Sequence, residues 1–293
     1  MKTFKEALQA GRLAVTAELA LTRNSGAADI AHQAELLGPL VDAVQVTDSP
    51  LAWVQPSAVA ASALLLQHGV DPIPILSCRD RNRLGLLSDL LGLRALGVGS
   101  LILTRGRRVG KKNPLHASTV FDLTGRELIS MANGLNEEED VPPSRQFLIG
   151  AGARAFHPRR DWEPESLLGR ADAGAQFVQT QIVMNLDVLR QWMARLVAAK
   201  ITWRYSVIVT VAPLPSAETA RWVKTNMSDS KVPPALIDRL EQAADPEAEG
   251  VAICAEVMQQ IAEVPGVSGI NVMSTGNIEL SAAAIRASGL ASG

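Results

Sequence analysis

The chain has 293 residues, 47% of them hydrophobic, and its 28 basic and 30 acidic side chains nearly cancel to a formal net charge of -2. That is enough apolar content for a large core, and the balance excludes the global basic bias of a nucleic-acid-binding surface. Aromatic residues make up 4%, with a single tyrosine, too few for base-stacking platforms.

From the N-terminus, "MKTFKEALQAGRLAVTAEL" begins basic, but Glu6, Gln9, Gly11 and Arg12 interrupt any signal-peptide core. No run reaches the roughly 18 apolar residues that span a bilayer. Cys78 and Cys254 stand far apart, without CxxC or Cys/His ligand spacing, so neither a disulfide framework nor a metal site is indicated. A reducing, cytoplasmic setting fits, with no membrane or nucleic-acid partner.

Short runs rich in Val, Ile and Thr recur along the chain, each followed by helical spacing. They are "AVTAEL" (14 to 19), "DAVQVT" (42 to 47), "PIPILS" (72 to 77), "SLILT" (100 to 104), "FLIGAGA" (147 to 153), "QFVQTQ" (176 to 181), "YSVIVTV" (205 to 211) and "VSGINVM" (267 to 273). Between them, "NRLGLLSDLLGLRALGV" (82 to 98) and "NLDVLRQWMARLVAAK" (185 to 200) read as outer helices, the second capped by Asn185. The long stretch before the last strand carries "VPPALIDRLEQA", with proline at a helical first turn, and suggests a lid or an extra wall. Eight strands alternating with helices predict an α/β fold, one (β/α)8 TIM barrel occupying residues 1–293 as a single domain. An open doubly wound sheet is disfavoured, because no GxGxxG follows the first strand and "GAGARA" after the fifth lacks the third glycine.

In such barrels the site lies at the C-terminal strand ends. Those ends hold Glu18, Thr47 and Asp48, Ser77 to Arg79, Arg105 to Arg107, Arg154 and His157, Thr180 and Gln181, Pro213 and Ser274. Glu18 closes an apolar strand, where it is either a proton donor with a raised pKa or a carboxylate tied to a core arginine. "LTRGRRVGKK" (103 to 112) packs Arg105, Arg107, Arg108, Lys111 and Lys112 after the fourth strand. It is either an anion-facing loop, its glycine admitting a close ligand, or a solvated basic loop. Thr180 and Gln181 offer a hydroxyl and an amide for a planar heterocycle, or a structural cap. His157 has no companion at metal-ligand spacing.

With these ends in place the chain resembles the methylenetetrahydrofolate reductase family, flavin-dependent barrels that reduce a folate methylene to a methyl group. The resemblance rests on "TAEL", "VDAVQVTDSP", "ILSCRDRNRLGLLSDLLGLRALGVGSLILTRG", "DAGAQFVQTQ" and "VSGINVM", in order through most of the chain. It implies reduction of 5,10-methylenetetrahydrofolate to 5-methyltetrahydrofolate by NADH or NADPH through bound FAD. Glu18 would be the general acid, Gln181 a folate contact, and Thr47, Arg105, Gly106 and Asp172 flavin contacts. The expected partner is a small-molecule folate, and a homo-oligomer is compatible.

The chain departs from the family at several of these positions. The family's "RGD" reads "RGR", so Arg107 replaces an anion near flavin and pterin, and Asp48, where tyrosine is frequent, would restore a negative charge for cofactor and substrate. Ile75 stands where many members have histidine, "GARAFHP" replaces a tyrosine-containing segment, and "NVMSTGN" lacks the usual tyrosine and arginine. The alternatives are therefore a flavin-independent folate reductase, a folate-binding methyl-transfer barrel without redox activity, or a noncatalytic barrel, against which Glu18 and Gln181 weigh.

Overall fold

In the computed structural model, which describes residues 2–110, 113–227 and 230–292, eight parallel strands close into a barrel in chain order. A short helix α1 (Phe4–Gln9) precedes β1 (Ala14–Glu18), then come α2 (Ala27–Leu37), β2 (Ala43–Val46), α3 (Ala58–Gln67), β3 (Pro72–Ser77), α4 (Arg83–Leu96) and β4 (Ser100–Thr104). The second half runs α5 (Gly125–Asn136), β5 (Leu148–Ala153), α6 (Glu165–Asp172), β6 (Phe177–Ile182), α7 (Leu186–Ala198) and β7 (Ser206–Val211). Three helices, α8 (Ala217–Asn226), α9 (Pro234–Gln242) and α10 (Pro246–Ala262), separate β7 from β8 (Val267–Val272), and α11 (Ile278–Ser288) follows. The (β/α)8 barrel expected from the eight apolar runs is the fold, and the doubly wound alternative is set aside.

Local signals account for the helix starts. Asn82 accepts a hydrogen bond from the Gly85 N–H ahead of α4, Thr124 and Glu127 form a reciprocal capping box on α5, and Asn185 caps α7. These caps sit where the chain leaves the mouth of the barrel, so they fix the loops that frame it. The stretch between β7 and β8 also contributes a wall. Lys231 bridges Val183 just beyond β6, its N–H donating to the Ile182 carbonyl at 2.9 Å. No helix among the described residues is long and apolar enough to cross a membrane.

Strand alternation divides the core in two. Val15, Ala17 and their counterparts pack under the helices, while Ala14, Ala43, Ile73, Ile102, Phe177 and Ile208 fill the lower barrel. α1 closes that lower end: Phe4 meets the Phe177 ring edge-on at 5.1 Å, and its N–H donates to Asp71 Oδ2 at 2.9 Å. Burial pushes the Asp71 carboxyl up to about 7, the Phe4 hydrogen bond opposing it and the charges of Glu6 and Asp42 adding to it. The folded protein therefore holds this proton more tightly than the unfolded chain, and the group's contribution weakens as pH climbs from about 4 to about 7. Asp71→Asn, which keeps an acceptor for Phe4, is expected to be more stable than the parent by about 1–3 kcal/mol at alkaline pH and nearly equal to it at acid pH, in urea unfolding at both.

Candidate functional site at the mouth of the barrel

Because β1, β3, β5 and β7 each start their inward series at the lower core, their last inward residues are Glu18, Ser77, Gly152 and Thr210. β5 lies four strands from β1 in the closed ring, so Gly152 faces Glu18 across the axis. Gly152 is exposed although it is in a barrel strand, and no heavy atom lies within 4 Å of where a Cβ would stand. The wall opposite Glu18 is therefore open.

Glu18 itself is 8% exposed, and burial raises its carboxyl to about 7, while a hydrogen bond from Asn271 Nδ2 to Oε1 at 3.3 Å pulls the other way. Among the described residues no arginine or lysine pairs with it, so the core ion pair weighed from sequence is absent there. A carboxyl that is half protonated near neutrality is suited to give up a proton, and one held by neutral partners does so without breaking an ion pair.

Other strand-end residues divide into those at the mouth and those withdrawn from it. Gln181 lies at the mouth, at the end of β6, where its amide clamps the Ala155 backbone: Oε1 accepts from the Ala155 N–H at 3.0 Å and Nε2 donates to its carbonyl at 2.8 Å. Thr180 does not face the mouth; its hydroxyl donates to the Gln181 carbonyl and accepts from the Thr210 N–H, stitching β6 to β7. Gln55 Nε2 holds Thr47 through both its carbonyl and its hydroxyl. Asp48 is consumed by neighbours, accepting from the Ser77 N–H and hydroxyl at 2.8 and 2.7 Å and from both Arg81 nitrogens at 2.8 and 2.9 Å. Burial pushes its carboxyl up, but Arg81 and Ser77 outweigh it and hold it below the usual range.

Arg105 and Arg107 are exposed at the rim, with the Arg105 guanidinium 4.4 Å from the centre of the Phe121 ring and that of Arg108 at 5.8 Å. Between them Gly106 adopts φ +77°, its backbone packed so closely that a Cβ would stand 3.1 Å from both Ser77 and Arg79. Lys111 and Lys112 lie outside the described residues. His157 is exposed and bonds Gln191 through Nδ1 at 3.0 Å. Ile75 points into the barrel among the lower-core side chains. Asp172 needs the clearest correction. It ends α6, just before β6 begins, and pairs with Arg204 just before β7, which puts it at the opposite end of the barrel from Glu18.

A cationic group beside β5 extends beyond the strand ends. Arg170 of α6 donates to the Gly152 carbonyl, and the Arg126 guanidinium lies over Gly169. Burial first, then the charges of Arg126 and Arg154, hold Arg170 below its ordinary pKa. Arg154 stands at a strand end and Arg126 in the first turn of α5, while Arg170, near the end of α6, reaches the Gly152 carbonyl through its side chain.

The sequence model for methylenetetrahydrofolate reductase matches residues 3–289. The chain belongs to the methylenetetrahydrofolate reductase family. No protein with a curated description matches it. Among solved structures it is similar to an uncharacterized protein from Clostridium thermocellum that binds two copies of 5-methyl-5,6,7,8-tetrahydrofolic acid, with a TM-score of 0.63 and 15% identity over 96% of this chain and 97% of that one. It is also similar to 2,3-dimethylmalate lyase, a member of the PEP mutase/isocitrate lyase superfamily, with a TM-score of 0.48 and 12% identity over 71% and 69% of the two chains.

Family membership makes FAD the cofactor to test against these residues. The arginines at positions 126, 154 and 170, with Arg105 and Arg107 at the rim, suit its pyrophosphate, and the bare Gly152 wall suits a planar ring. Asp48 is engaged by Arg81 and Ser77, and Asp172 pairs with Arg204 just before β7. Asp48→Asn is accordingly expected to cost about 2–3 kcal/mol in chemical unfolding, as the loss of one partner of a largely buried pair, with any effect on ligand binding secondary to that loss.

Proposed function

We propose that this barrel binds a reduced folate across its mouth and reduces 5,10-methylenetetrahydrofolate to 5-methyltetrahydrofolate, with Glu18 as general acid and NADH or NADPH as the electron source through FAD. The observation that carries this reading is a buried carboxyl, raised by burial to about 7, without a cation partner among the described residues, facing an open wall at Gly152. The folate ligand named for the Clostridium thermocellum protein supports it.

In this scheme the protonated Glu18 gives its proton to an amine nitrogen of the imidazolidine ring, the carbon–nitrogen bond at the bridging methylene breaks, and the resulting iminium accepts a hydride. FAD, held by the arginines at the rim and beside β5, would supply that hydride with electrons from the nicotinamide. Gln181 spends one donor and one acceptor on Ala155, so its second N–H and its second lone pair remain for the pterin. Gly152 leaves the space in which the ring lies, and Arg105, Arg107 and the three arginines beside β5 meet the pyrophosphate or the glutamate carboxylates.

The withdrawal of Asp48 and Asp172 favours a second reading, a folate-binding barrel without redox chemistry. Both readings are tested by incubating the purified protein with FAD, desalting, and adding NADH and then methylenetetrahydrofolate anaerobically. Retained flavin that bleaches with NADH and recovers with folate supports the reductase; tight 5-methyltetrahydrofolate binding without flavin uptake supports the second reading and refutes the first. Glu18→Gln is expected to keep folate affinity while lowering turnover by about 10²- to 10⁴-fold. Gly152→Leu should fold with near-parental stability, since its side chain enters empty space, and lose folate affinity by about 10-fold or more, read by fluorescence titration.

A further inference from the structure

We propose that Asn271 is the positioning residue for Glu18, its amide orientation coupled to a hydrogen-bond chain that crosses the barrel interior from Gln179 through Gln45 and Thr16. Its catalytic meaning rests on the reading of Glu18 as the acid. The chain is defined by the donors available at each link.

Gln45 and Gln179 form a reciprocal amide pair, Gln45 Nε2 donating to Gln179 Oε1 at 2.6 Å and Gln179 Nε2 to Gln45 Oε1 at 2.9 Å. That pairing fixes the two amides relative to each other, and in the orientation present the second N–H of Gln45 donates to Thr16 Oγ1 at 3.2 Å. A hydroxyl that accepts there keeps its own proton to give, and Thr16 gives it to Asn271 Oδ1 at 2.9 Å. With its oxygen committed to Thr16, Asn271 turns its NH₂ to Glu18 Oε1. Reversing the Asn271 amide alone, with Glu18 ionised, would leave the Thr16 proton facing a donor and Oε1 facing an oxygen. Thr16 and Asn271 are fully buried and Gln45 is 1% exposed, so water does not relieve the mismatch at Thr16.

Oε1 is thereby held as an acceptor, and the transferable proton resides on Oε2, which bonds no group among the described residues. A donor to Oε1 also favours the ionised carboxylate and opposes the upward push of burial. The facing groups are neutral: β8 presents Asn271 and β2 presents Gln45. Beyond them Asp48 is paired with Arg81, and Arg79 with Asp80. Glu18 is tuned through hydrogen-bond direction rather than through an ion pair.

The test is a ¹³C-carboxyl NMR titration of Glu18 in the ligand-free protein from about pH 5 to about pH 9, with the resonance identified by its loss in Glu18→Gln. Asn271→Leu is expected to raise the Glu18 midpoint by about one unit. Thr16→Val, which touches Asn271 but not Glu18 through a hydrogen bond, is expected to raise it in the same direction, a shift that a merely structural threonine would not cause. An unchanged midpoint in folded Thr16→Val overturns the proposal, and this variant decides the matter if Asn271→Leu does not fold. Shifted midpoints in a protein without folate reduction would uphold the positioning role while refuting the acid reading.

Discussion

The mouth depends on a constraint imposed by closing eight strands: alternate side chains of every strand must share one narrow axis. Apolar residues fill the lower part of that axis, where Phe4 and Phe177 seal it. Higher up, Thr16, Gln45 and Asn271 place polar groups in an interior that water does not reach, so their hydrogen bonds are found among themselves and with Gln179. The resulting tier is a rigid base for Glu18, which ends β1 directly above Thr16.

Burial and direction act together at that carboxyl. Desolvation disfavours its charge, and the neutral donor Asn271 partly restores it, leaving a group that titrates at about 7. An arginine in place of Asn271 would have pinned the carboxylate as an anion; an apolar residue would have removed the opposing force. Asp48 shows the contrast within the same barrel, because the bidentate hold of Arg81 makes it a structural anion rather than a proton carrier. Two acidic groups at neighbouring strand ends thus have opposite chemistry, decided by what stands beside each.

The cationic surroundings of β5 extend the site away from Glu18. Arg126 and Arg170 come from the helices on either side of that strand, Arg154 from the strand's own end, and the bare Gly152 lets a ligand approach between them and the acid. In the proposed reading a planar, anionic folate would lie across that acidic floor, open wall and basic flank.

The eight strands, the capped helices and the positions of Glu18 and Gln181 at strand ends were legible in the sequence, because apolar periodicity, cap residues and chain order are local properties. The partners were not. That Asp48 is spoken for by Arg81 and that Thr180 ties β6 to β7 follow from which loops and strands become neighbours in the closed barrel, which no spacing encodes. The amide chain behind Glu18 joins residues from β1, β2, β6 and β8, as far apart as positions 16 and 271, and only closure of the barrel brings them within hydrogen-bond reach.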